Sequence, residues 1–182
     1  QENELTLKNE LVTAINTIAG MGLMMAGAAR LKNSTSYKAA MYQIGINPSV
    51  YQDRLDEDFK KGLLTQEAYN KQKEAIDSAR IVGEIAKEDL ETIDKSKFSE
   101  NVKENYKFSL YTQVQEIYDL SQKVLELQRT KSNDARLEEV VEEIAKRSQE
   151  LDKFVTYVQN YDPVSVSGKL NENVRKSQVD KV

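Results

Sequence analysis

The sequence contains no histidine, no cysteine and no tryptophan. Without cysteine there is no disulfide, no thiolate nucleophile and no cysteine-bound zinc, although this absence alone does not fix a compartment. Without histidine a serine nucleophile loses its usual base, and the Glu-x-x-His pairs that hold di-iron centres in helical bundles cannot be built. The only prolines, Pro48 and Pro163, stand at the edges of helical patterns and not inside them. A dominant charge sign is also lacking. Basic residues number 26 and acidic residues 30, for a formal charge of −4 with no basic stripe to neutralise phosphates, which argues against non-specific nucleic-acid binding by the whole surface; no specific nucleic-acid partner is expected either. Lys169, Arg175, Lys176 and Lys181 give the C-terminus a mild basic bias, but Glu172 and Asp180 dilute it, and the segment reads as a solvated tail.

Helical periodicity is what the chain has in quantity. Leu137, Val141, Ile144, Leu151, Val155 and Val158 recur in steps of four and three, with Ser148 as the one polar member of the series. Tyr106, Leu110, Val114, Ile117, Leu120, Val124 and Leu127 follow the same rule with one slip. Each series is a narrow apolar stripe on a long helix, and each stripe needs a partner. With 39% hydrophobic and 31% charged residues, the composition favours narrow bundles, in which two or three positions per heptad are buried, over a compact ball. The short stretch Lys131–Asp134 lets the two helices fold back on each other, matching their stripes over about 25 residues, or roughly 35–40 Å. The expected fold is therefore all-α, an elongated helical bundle with a long antiparallel helical hairpin. Leu120, Val124, Leu127, Leu137, Val141, Ile144, Leu151 and Val155 are its candidate packing and interaction residues. Two helices leave a flank open, to be covered by a helix from 66–91, by the N-terminal segment or by another protein.

Upstream, Gly45, Asn47 and Pro48 break the helical signal, and Asn47 is placed to cap a helix opened by Pro48. A helical hairpin is expected over 49–91. Leu55 and Phe59 share a face, Gly62 stops the first helix, Thr65 caps the second with Glu67 in its first turn, and Tyr69, Ile76, Ala79, Ile81, Ile85 and Leu90 supply the returning apolar face. A polar linker, Thr92–Lys97, leads to Ser99, a cap for the first long helix. Residues 11–29 carry no charge and include Gly20, Gly22 and Gly27. The stretch is long enough to cross a bilayer, but Thr13, Asn16, Thr17 and the glycines lower its hydrophobicity. It reads as a buried, closely packed helical segment, with membrane contact through 11–29 as the alternative. The segments are thus 1–47, glycine- and alanine-rich; 48–97, a short hairpin; 98–162, a long hairpin; and 163–182, an extended or disordered tail. A start at Gln1 instead of methionine is expected of a processed product or a fragment.

No constellation points to chemistry; a serine–lysine pair stays open, but the chain has many of both with no distinguishing context. Glu138, Glu139, Glu142 and Glu143 pair at helical spacing but flank an apolar stripe, as a solvated helix face does. Glu84, Glu88, Asp89 and Glu91 have no surrounding aromatic platform for a substrate, and Asp53–Asp58 lacks the oxygen pattern and glycine of a calcium loop. There is no G-x-S-x-G turn and no phosphate-binding glycine loop. The nine tyrosines read as the edges of a narrow core. No catalytic residue, metal or cofactor is expected, and the chain reads as a non-enzyme whose partners are proteins or copies of itself.

The stretch Phe59-Lys-Lys-Gly62-Leu-Leu-Thr65-Gln-Glu67-Ala-Tyr69-Asn-Lys-Gln-Lys resembles a recurrent helical hairpin of short oligomerisation modules in bacterial proteins. From Asp58 to Leu151, the order of hairpin, linker and two long helices, the second passing through Ala145-Lys-Arg-Ser-Gln-Glu-Leu151, is similar to helical segments of the large virion-packaged proteins of crAss-like tailed phages. That resemblance implies a structural or packaged component located in the virion. The alternative expectation is a secreted or periplasmic helical component of a bacterial envelope or transfer apparatus.

Overall fold

The structure is a computed structural model that describes residues 35–130 and 134–164. All regular structure among them is helical, in the order α1 (Thr35–Ile46), α2 (Pro48–Lys60), α3 (Gln66–Asp94), α4 (Glu100–Arg129) and α5 (Asp134–Asn160). The expectations for residues 11–29, for the connection at 131–133 and for most of the tail lie outside the described residues.

Local chemistry sets the helix ends. Pro48 occupies the first turn of α2, where its missing N–H has no partner to lose; Asn47 holds the cap position but makes no side-chain cap bond. Gly62, at φ +72°, ends α2: its N–H donates to Phe59 O and the Leu63 N–H to Asp58 O, each at 3.0 Å, which together satisfy the last turn's carbonyls. The Ala68 N–H donates to Thr65 Oγ1 at 3.1 Å to open α3, and the Val102 N–H reaches Ser99 Oγ at 3.5 Å to open α4. The expected linker at Thr92–Lys97 is shorter than the sequence suggested. Helix α3 absorbs Thr92–Asp94 because Ile93 is fully buried at the end of the core.

Helices α3, α4 and α5 pack against one another; α1 lies on α3 and α4, and α2 folds back on α3. Arg147 meets Glu116, Phe154 meets Tyr106 and Tyr161 meets Phe98, so later residues of α5 pair with earlier ones of α4 or of the turn before it. One core contains Met41 and Ile44 of α1, Leu55 of α2, Val82 and Ala86 of α3, Leu110 and Tyr111 of α4, and Leu151 and Val158 of α5. The described parts of the three helical segments read from the sequence share that core.

Two stripes are rotated from their expected positions. On α3 the buried face is Gln72, Ile76, Ala79, Val82, Ala86 and Ile93, while Ile81 is half-buried and Ile85 is 58% exposed. α1 and α4 both approach α3 closely, and small side chains face that approach. On α5, Val140 is 8% exposed and Val141 is 49% exposed, which corrects the assignment of Val141 to the core. Steps from Leu137 to Val140 or to Val141 both suit a helix, and two adjacent valines offer the same chemistry about 100° apart. Leu151 is buried, whereas Leu120, Val124, Leu127, Leu137, Ile144 and Val155 are half-buried. Val140→Ala is expected to lower stability by about 1.5 kcal/mol, and Val141→Ala to change it by less than about 0.5 kcal/mol. Urea denaturation of the two variants compares them directly; equal losses would contradict this rotation of α5.

Candidate functional site

Two of the described glycines, Gly45 and Gly83, meet at a close helix crossing. A Cβ built on Gly83 would lie 2.2 Å from the Gly45 carbonyl oxygen, so α1 rests backbone to backbone on α3. A Cβ on Gly45 would lie 2.4 Å from the hydroxyl of Tyr111. That ring is fully buried, donates its hydroxyl to the Ala79 carbonyl at 3.0 Å, and meets Tyr42 edge-on with centroids 5.5 Å apart. Burial, followed by the nearby Tyr37 and Asp119, holds the Tyr111 phenol well above its usual range. Burial and Asp119 likewise raise Tyr37 to about 12, so both phenols stay neutral at physiological pH. The tyrosines expected at the edge of the core thus include two, Tyr42 and Tyr111, at its centre.

Beside this crossing, between the α1–α2 elbow and α3, opens a cleft of about 330 Å³. Gly45, Ile46, Pro48, Gly83 and Leu90 supply its apolar lining, and Arg80, Glu84, Lys87, Glu91 and Asp94 its charges. Most of these charges are matched within the protein. Arg80 pairs with Glu84 at 3.1 Å, and Asp94 accepts from Lys107 at 2.9 Å. Burial works against the Lys107 ammonium, but its bonds to Glu104 and Asp94 outweigh that effect and raise its pKa. Lys87 and Glu91, one turn apart, form no ion pair among the described residues and together carry no net charge.

Elsewhere the polar contacts tie helices together. Glu116 of α4 receives Arg147 of α5 and lies 3.8 Å from Lys38 of α1, while Arg147 also donates to Glu143 at 2.9 Å. Glu138, Glu139 and Glu142 are exposed. At the other end Phe98 stacks on Tyr161 at 3.8 Å and meets Tyr106 edge-on at 5.1 Å. Between α3 and α5, burial and then the like charges of Asp152 and Glu88 raise the pKa of Asp89. A raised carboxyl pKa means that ionisation opposes folding. Stability from this position is present below the unfolded pKa and is lost as pH rises through the folded one. Asp89→Asn is therefore expected to raise the melting temperature at pH 7 and to lose that advantage below about pH 4. Calorimetry across this pH range tests it, and a pH-independent difference would be the contrary result.

Among the described residues no group of three or more Asp or Glu side chains is arranged to hold a metal ion. The candidate packing residues are spread along α4 and α5 and do not converge on a site, and the cleft lies apart from all of them. Neither the glycine crossing nor the cleft beside it is marked by the apolar pattern of the sequence. The available signal was Gly45 and Gly83 within helical apolar patterns, positions where glycine weakens a helix unless close packing requires it. No family model, curated protein or solved structure matches the chain.

Proposed function

We propose that the protein is a non-enzymatic helical component of a larger assembly, held there by apolar side chains that its own bundle leaves uncovered. One observation carries this reading: each of the three long helices presents a large apolar residue outward, Ile85 of α3 at 58% exposure, Leu125 of α4 at 48% and Val141 of α5 at 49%. Scattered single apolar residues are ordinary on a protein surface, so the weight rests on their presence on all three helices together with half-buried stripes. The resemblance of residues 58–151 to virion-packaged helical segments supports a tailed-phage particle as the assembly. The mechanism is burial of these side chains against neighbouring copies or partner helices, with no reactive centre involved.

Light scattering combined with small-angle X-ray scattering tests the assembly reading. The expected particle exceeds the chain mass of 20.7 kDa or becomes larger with its partner. A compact monomer that associates with nothing would count against it. Peptide mass spectrometry of purified phage particles tests the virion assignment separately, since a packaged component must be recovered from intact particles.

A further inference from the structure

We infer that α3 pairs with the α3 of a second copy across the cleft, the two helices running antiparallel about a two-fold axis. The inference rests on the assembly reading above and names its partner. Arg80, Glu84, Lys87 and Glu91 recur on α3 in steps of four, three and four, so they form one stripe about 16 Å long on a single face of the helix. All four are exposed, and all four line the cleft.

Along this stripe the charges run positive, negative, positive, negative. Such a row changes sign at every position when it is reversed end to end. An antiparallel copy whose axis lies level with Ile85 and Ala86 therefore sets Arg80 opposite Glu91 of the second copy and Glu84 opposite Lys87 of the second copy, and the symmetry makes each contact twice. A parallel copy in register would set like charges against each other at all four positions. Within one chain Arg80 is held by Glu84 at 3.1 Å and by Asp77 at 4.0 Å. Lys87 and Glu91 make no ion pair among the described residues, so both are open to a partner. The stripe has no net charge, which lets two copies meet without repulsion and gives a polyanion nothing to neutralise. Ile46, Pro48 and Leu90 line the same cleft, and the elbow leaves Ile46 47% and Val50 56% exposed. Exposed ion pairs each add little stability, so burial of this apolar lining supplies the affinity while the charges fix direction and register.

Charge reversal in the full chain tests the pairing, with dimerisation read by sedimentation equilibrium. The parent is expected to form a particle of twice the 20.7 kDa chain mass. Lys87→Glu sets carboxylates opposite each other at two points of the dimer, and Glu84→Lys does the same with ammonium groups; each is expected to weaken the dimer by about tenfold or more. The double variant restores opposite charges between the copies and is expected to bring the dissociation constant back to within about threefold of the parent. Within one chain that double variant places like charges one turn apart, at positions 80 and 84 and at 87 and 91, so pairing inside the helix does not account for the rescue. Both substituted positions are exposed, and circular dichroism verifies that the variants fold. An oligomer indifferent to the single reversals, or not restored by the double variant, would overturn the α3 pairing and leave the assembly reading in place. A parent that stays monomeric at every concentration would overturn the pairing as well, and the assembly reading then falls only if no other partner enlarges the particle.

Discussion

Tyr111→Ala is expected to be among the most damaging substitutions in the described part of the protein, lowering stability by about 3–5 kcal/mol. For a chain of this size that corresponds to a fall in melting temperature of roughly 6–20 °C. The ring is fully buried and sits where three helices meet: it belongs to α4, bonds to a carbonyl of α3 and lies beneath Gly45 of α1. Its removal leaves a cavity whose walls include glycine backbone, which has no side chain to move into the space. Tyr111→Phe separates the ring from its hydroxyl. It removes only the 3.0 Å bond to Ala79 and is expected to lower stability by about 1 kcal/mol. Thermal unfolding followed by circular dichroism gives both values, and an alanine variant within 1 kcal/mol of the parent, on the order of a surface substitution, would contradict the placement of the ring.

Gly83→Ala is expected to have the next largest effect, and here two physical terms oppose each other. Alanine is the better helix former by about 1 kcal/mol. Against that, its methyl group would stand 2.2 Å from the carbonyl oxygen and 2.9 Å from the carbonyl carbon of Gly45. The obstacle is backbone inside a helix, so no rotamer change relieves it, and α1 must lift from α3. Overpacking typically costs about 1–3 kcal/mol, and an obstacle of helix backbone puts this one at the upper end, about 3 kcal/mol. The net expectation is destabilisation by about 2 kcal/mol, with loss of order in α1 first, read by amide hydrogen exchange of Ala40–Gly45. Gly62→Ala provides the contrast. A Cβ there meets nothing within 4 Å, and the only penalty is its positive φ, about 1–2 kcal/mol, with no loosening of α1. If Gly83→Ala proved stabilising, the close crossing of α1 and α3 would be wrong.

The parts of the fold legible from the residues were those written in short-range chemistry. Glycine in the left-handed region after α2, hydroxyl caps at Thr65 and Ser99, and proline at the start of α2 act through bonds that close within a turn of helix. The stripe on α4, from Leu110 through Val114 toward Leu127, was legible because it offers few alternative apolar positions on the inward face. Where neighbouring positions were equally apolar, the pattern was degenerate. Val140 and Val141 on α5, and Ile81 and Val82 on α3, gave no local reason to choose between them. The cleft was illegible for a different reason. It is made by glycines from helices separated in sequence, and an empty Cβ position carries no hydrophobic signal.

By itself, the sequence determined that the chain is helical, where α2 to α5 begin and end to within a few residues, and that it has no histidine or cysteine for the chemistry those residues perform. Only the tertiary structure decided how each helix is turned about its own axis, and with it that Val140, Val82 and Tyr111 face inward while Val141 and Ile85 face outward. The division follows from the range of the forces. Backbone hydrogen bonds and caps are settled within four residues of one another, whereas the rotation of a helix is set by the shape of neighbours that the chain supplies from far along its length.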